Sequence, residues 1–212
     1  MTQTLTQLIA SVQAQLIDSG TRFTTATCTA AIRAAFSTLN KRMPIYAADV
    51  IDAVTSQYDY EIEDTTAIEI LNILQSDPSG GQYDLPLEYD DYTEDNRLWF
   101  RLRQPLSTSL TIITRYTKFH TVNGLDSETQ STLTADQDQV LINGSCAYAM
   151  AIRAPSRIET INLQSAVSKT YNELKRFFEV EFEKGLQFYS RQKPPPDPMR
   201  TTAWNDSYHN YP

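Results

Sequence analysis

The sequence predicts an α+β fold: an antiparallel helical bundle of about four helices, an inserted antiparallel β-meander, and an extended C-terminal tail. Three observations predict it. Apolar residues recur at helical spacing near both ends of the chain, over residues 4–43 and 134–192. From 45 to 119 the period shortens to two, and β-branched and aromatic residues accumulate. The last twenty residues, KPPPDPMRTTAWNDSYHNYP, hold five prolines and no apolar pattern from which to build a core. A helical base (1–44 and 120–192), an inserted β region (45–119) with an acidic loop (76–96), and a tail (193–212) satisfy this order with short connections.

In the first helix, Leu5, Leu8, Ile9, Val12 and Leu16 form one apolar stripe, and Gly20 closes the segment. Thr24 or Thr25 caps the second helix and Phe23 staples its entry. Its buried face is Cys28, Ala31, Ile32, Ala35, Phe36 and Leu39. Lys41 and Arg42 suit the negative helix end, and Pro44 stops it.

Four strands follow: YDYEI around Tyr58, Tyr60 and Ile62; AIEILNILQ through Ile68, Ile70, Asn72 and Leu74; RLWFRLR with Leu98, Phe100 and Leu102 on one face; and the β-branched LTIITRYTK. The stretch SDPSGGQYDLPLEYDDYTEDN, with Gly80 and Gly81, is expected to be an exposed loop or arm. Thr134 caps a third helix that buries Val140, Cys146, Ala147, Met150 and Ala151, with Ala147, Ala149 and Ala151 permitting close packing. A last helix, from about Leu163 to Gln192, has Val167, Tyr171, Leu174, Phe177, Phe178, Phe182, Leu186 and Tyr189 as apolar positions.

Composition excludes several classes. At 212 residues, 41% hydrophobic and 21% charged, the chain has the make-up of an ordinary globular protein. No run approaches the ~20 apolar residues of a membrane span, and the N-terminus lacks the pattern of a signal peptide. The two cysteines, Cys28 and Cys146, lack metal-site spacing and are expected to be small buried residues in a reducing compartment. The net charge of −8 argues against binding that relies on phosphate neutralisation. Nearly all the excess lies in residues 61–100, which hold eleven acidic residues and one basic residue, Arg97.

The search for chemistry yields no catalytic set, no cofactor site and no metal site. With only His120 and His209 available, no Ser/His/Asp set is specified, and no glycine-rich phosphate loop is present. Asp90, Asp91, Glu94 and Asp95 do not have the spacing of a calcium loop and are expected to be solvated charge. Asn123-Gly124 reads as a tight turn with positive φ, with His120 as a hydrogen-bonded residue beside it.

Three groups are candidates for interaction. Trp99 between Arg97 and Arg101 on a polar strand face suits either a subunit interface or packing against the helices. Arg191, Lys193, Arg200, Trp204, Tyr208 and Tyr211 make the tail either a docking arm or a terminus without a partner. Asp84, Glu88, Asp90, Asp91, Glu94 and Asp95 form an acidic segment that either lines a channel or faces outward.

The stretch TIITRYTKFHTVNGLDSETQSTLTADQDQVLINGSCAYAMAIRA resembles a pattern of tailed-bacteriophage structural proteins. There, a strand ending RYT leads into HTxNGL and then a TLxxxxxxxLxxGAxAYA helix. TTATCTAAIRAAFSTLNKRMP resembles the opening of the same proteins. The chain is similar, over roughly residues 20–190, to head–tail connector (adaptor, head-completion) proteins. It departs from their pattern at Ser145 and Cys146, where Ala or Gly is usual.

The resemblance implies a non-enzymatic virion protein of the neck, assembled in the host bacterial cytoplasm. It implies a ring, a dodecamer, between the portal protein and a tail or nozzle protein. Double-stranded DNA would pass through without specific binding, and no membrane is involved. The helical base and tail would meet the portal. Another tail-side ring protein (completion or terminator) is the nearest alternative. A carbohydrate- or calcium-binding β module using Trp99, Tyr89 and Tyr92 is a further one.

Overall fold

The computed structural model describes residues 3–18, 20–76, 85–95, 97–106, 110–160 and 165–190, with backbone alone for 154–160 and 165–168. The chain divides into two compact units, Met1–Met43 with Thr121–Pro212, and Pro44–His120. The described secondary structure is four α-helices and seven antiparallel strands, the α+β class that the residue periodicities predict.

The first unit holds α1 (Leu5–Gln15), α2 (Thr25–Arg42), α3 (Ala135–Thr160) and α4 (Ser165–Ser190). Side chains fix where three of them begin. Thr4 and Gln7 form a reciprocal capping box at α1, and Thr24 caps α2 by accepting from the Thr27 N–H. Thr134 and Gln137 repeat the reciprocal pattern before α3, at 2.9 and 3.3 Å. Leu8, Ile9 and Val12 of α1 and Cys28, Ala31, Ile32, Ala35 and Leu39 of α2 are buried, while Phe36 is partly buried against them. From α4, Phe178, Phe182 and Leu186 enter the same core, whereas Leu174 and Phe177 stay exposed.

Two glycines set the α3–α4 approach. A Cβ on Gly144 of α3 would lie 2.7 Å from the Phe182 ring, and one on Gly185 of α4 would lie 2.5 Å from Val140. Each helix thus gives up a side chain where the other places a large one.

The second unit holds β1 (Ile45–Asp52), β2 (Asp59–Glu61), β3 (Ala67–Ser76), β4 (Leu85–Pro86), β5 (Tyr89–Glu94), β6 (Arg97–Leu102) and β7 (Thr111–Lys118). They form two sheets, ordered β1-β7-β3-β4 and β2-β6-β5. Side chains of both meet in one core that includes Tyr60, Ile62, Ile70, Ile73, Phe100, Leu102, Ile112 and Tyr116.

Three features differ from the sequence expectation. Residues 45–52 form a strand, β1, paired along its whole length with β7. Residues 85–86 and 89–94, expected in a loop, form β4 paired with β3 and β5 paired with β6. The register of β3 shifts between Ala67/Glu69 and Ile70/Asn72, so Ile70, Ile73 and Leu74 are buried while Ile68 is exposed. Bulges re-aim side chains in this way, and simple alternation does not foresee them.

Candidate functional site

Residues that were separate candidates in the sequence come together on the outward face of the β2-β6-β5 sheet. Along β6, Leu98, Phe100 and Leu102 point into the core, so Arg97, Trp99 and Arg101 point outward. Register places Glu94 opposite Arg97, Tyr92 opposite Trp99 and Asp90 opposite Arg101 on β5. On the other flank, Glu61 lies opposite Trp99 and Asp59 opposite Arg101 on β2. The central strand is basic and its two neighbours are acidic.

The charges pair across the strands. Arg97 binds the Glu61 carboxylate, and that hydrogen bond raises its already high pKa. Arg101 lies 3.9 Å from Asp59. Arg103, just past β6, reaches Glu88 at 3.2 Å and Asp90 at 3.6 Å. Between the arginines, Trp99 and Tyr92 stack with centroids 6.3 Å apart and planes 17° from parallel. The Tyr92 hydroxyl donates to Asp59 at 3.2 Å. Desolvation and that carboxylate both push its phenol pKa up.

This arrangement refines two expectations. Glu88, Asp90, Asp91 and Glu94 belong to β5 or its approach, and Asp95 occupies the β5–β6 connection at φ 50°. Asp84 lies outside the described residues, as do Arg191, Lys193, Arg200, Trp204, Tyr208 and Tyr211. Asp59, Glu61 and Tyr92 are the partners that the arginines and Trp99 find. Their signal was the opposed charge and shared alternation of DYE, YDDYTE and RLWFR. Tyr89 packs against the core, so Tyr89, Tyr92 and Trp99 do not form one aromatic platform.

A second polar group sits at the other sheet. Tyr116 is buried, and its hydroxyl donates to Asp49 at 2.9 Å and approaches Asp64 at 3.4 Å. Lys118 binds Asp64 at 2.7 Å. Burial disfavours the Asp64 carboxylate, but Lys118 and the N–H and hydroxyl of Thr66 outweigh it and hold the pKa at about 2. Burial and these two carboxylates push the Tyr116 phenol pKa up.

The turn before α3 is tied to the N-terminus. Gly124 has φ +86°, as a tight turn there requires. The Leu5 N–H donates to the Asn123 carbonyl at 2.8 Å, and the Ser131 hydroxyl donates to the Gln3 carbonyl at 2.8 Å. The Asn123 side chain donates to the Thr129 carbonyl at 2.8 Å. His120 is buried. Cys28 and Cys146 are buried free thiols, and burial pushes the Cys146 pKa up to about 12, which suits packing and not reactivity. Among the described residues, no cluster of three or more His, Cys, Asp or Glu side chains has the geometry to hold a metal ion. No described helix is long and apolar enough to cross a membrane.

No family model matches the chain, and no curated protein matches it in sequence. Solved structures do. A chain in the neck of an empty gene transfer agent (GTA) particle, computed with C6 symmetry, is 12% identical at a TM-score of 0.32, covering 66% of this chain and 75% of that one. A chain from the virion of a native GTA particle is 11% identical at 0.33, covering 68% and 76%. One in the neck of a native GTA particle, computed with C12 symmetry, is 14% identical at 0.32, covering 68% and 77%.

Proposed function

We propose that this chain is a non-enzymatic structural subunit of a tailed-phage-like particle neck: a head–tail connector that forms a ring, docks on the portal and contributes to the DNA channel. The observation that carries the proposal is the segment around 115–150, whose resemblance to connector proteins falls on residues with definite physical work. Arg115, Tyr116 and Thr117 are the end of β7. Asn123 and Gly124 make the turn that holds α1, and Leu125 and Leu133 are buried beside it. Gly144, Ser145, Cys146, Ala147 and Ala149 keep α3 slim where helices approach, and Ser145 returns its hydroxyl to the Leu141 carbonyl at 2.7 Å. Ser145 and Cys146, the departures from the pattern, are both fully buried and small. The GTA chains are too distant to add weight.

The proposed subunit contact is the Trp99–Tyr92 stack. The arginines beside it already have carboxylate partners, which leaves the aromatic pair as anchor and the ion pairs as its polar rim. The tail, residues 193–212, with Arg191 just before it, is the proposed portal-docking arm. A head-to-tail contact repeated with a closing rotation yields a ring.

Mixing the full chain with its cognate portal ring and weighing the complex by native mass spectrometry tests this. The expected result is a portal complex that gains a full ring of copies, twelve on the dodecamer expectation. A chain truncated after Gln192 should remain folded and add none. Absence of binding by the folded full chain would transfer the proposal to a tail-side ring protein.

A further inference from the structure

β1 is the last strand of its sheet among the described residues. The Ala53 N–H donates to the Leu110 carbonyl, which fixes the phase of the antiparallel ladder. By alternation, Ile45, Ala47, Asp49 and Ile51 bond to β7, while Tyr46, Ala48, Val50 and Asp52 turn their N–H and C=O groups away from it. The strand IYAADVID contains no Lys, Arg or Pro, and the charges that guard its edge, Asp49 and Asp52, are both acidic and so repel only like-charged strands; Val50 is 68% exposed.

This edge borders a groove. An open cavity of about 700 Å³ is lined by six consecutive β1 residues, Ala47 to Asp52, and by Glu61, Glu63, Asp64, Tyr116 and Lys118. Its carboxylates are Asp49, Asp52, Glu61, Glu63 and Asp64. Its one ammonium group, Lys118, is bound to Asp64, and Glu61 is held by Arg97, which leaves Asp49, Asp52 and Glu63 as the carboxylates an incoming cation would meet. The cavity therefore offers a row of backbone donors and acceptors beside an acidic wall.

We propose that this groove takes an extended, basic segment of a partner protein, which adds to β1 as a further strand. Main-chain hydrogen bonds to the open edge supply affinity, and Lys or Arg at alternate positions of the incoming strand meet the carboxylates. A second copy of β1 is a poor occupant, because it would carry Asp49 and Asp52 toward a groove already walled by carboxylates. Nucleic acid is repelled for the same reason. The proposal does not depend on the neck assignment.

The test uses the full chain and fluorescein-labelled peptides of the repeat Lys-Thr-Lys-Val, read by anisotropy at low salt. The Lys peptide should bind about tenfold or more tighter than its Glu counterpart and weaken as salt rises. Of two versions N-methylated at odd or at even positions, one should lose about tenfold in affinity and the other little, since only alternate amides face β1. Val50→Pro, which removes an outward N–H without breaking the β7 ladder, should weaken binding to a similar degree with the melting temperature retained. Equal binding of the Lys and Glu peptides, or no binding of the Lys peptide at about 1 mM, would overturn the proposal. So would full affinity in both N-methylated versions, because binding by charge alone is not strand addition.

Discussion

In the helical unit, the residues at the close approach of α3 and α4 are glycines, flanked by Ala147, Ala149 and Cys146. In the β unit, the largest fully buried side chains are Tyr116 and Phe100, and Phe100 stacks on Tyr60 with centroids 5.4 Å apart. Where α3 and α4 approach, an absent side chain receives a large one, Gly144 under Phe182 and Gly185 under Val140, whereas between the sheets large side chains meet large ones. Helices are thick rods whose separation depends on the smallest residue at the crossing. Two facing sheets stand about 10 Å apart and need long side chains to fill the space. The two units should therefore fail under opposite kinds of substitution.

Phe100→Ala should show the largest effect. It empties a fully buried site between the sheets and should cost about 3–5 kcal/mol by chemical denaturation. A cost under about 1 kcal/mol would mean that the sheets collapse onto the space and the contrast is lost.

Gly185→Ala probes the helical unit in the other direction. Its methyl group meets Val140 at 2.5 Å, and the strain should exceed the helix-propensity gain, for a net loss of about 1–2 kcal/mol. In a Val140→Ala background, the same change should become neutral or stabilising, a coupling that a double-mutant cycle reads directly.

Asp64→Asn sharpens the contrast through charge, with an effect no larger than that of Gly185→Ala. The folded-state pKa of about 2 lies below the ordinary value of 3.8, so the stabilisation is present above about pH 4 and is lost as pH falls toward 2. The substitution should cost about 1–2 kcal/mol at pH 7, and the difference in melting temperature from the unsubstituted chain should shrink at pH 3.

Legibility in the sequence followed the range of the interactions. The helices were legible because capping and apolar spacing act within a few residues, as at Thr24, Thr134 and the Leu5–Leu16 stripe. β6 was legible for the same reason, since Leu98, Phe100 and Leu102 alternate without interruption. β5 was not. YDDYTE has low strand propensity, and the facing arginines of β6, Tyr92's stack on Trp99 and its hydrogen bond to Asp59 are its compensation. Of the proposed contact, Trp99 and its flanking arginines could be singled out from sequence. Their partners on β2 lie more than thirty residues away and become visible only once register is known.

Residues acting on their near neighbours were enough for the α+β class, the helix–helix–β–helix–helix order, the buried faces of α1 and α2 and the turn at Gly124. Each depends on spacing, capping or backbone freedom that neighbouring residues supply. Folding in three dimensions was needed to settle which strands pair, how β3 slips at its bulges, that Gly144 and Gly185 set the α3–α4 approach, and that, among the described residues, β1 is an end strand beside an acidic groove. Those outcomes depend on contacts between segments far apart in the chain, and no local pattern of residues encodes such a pairing.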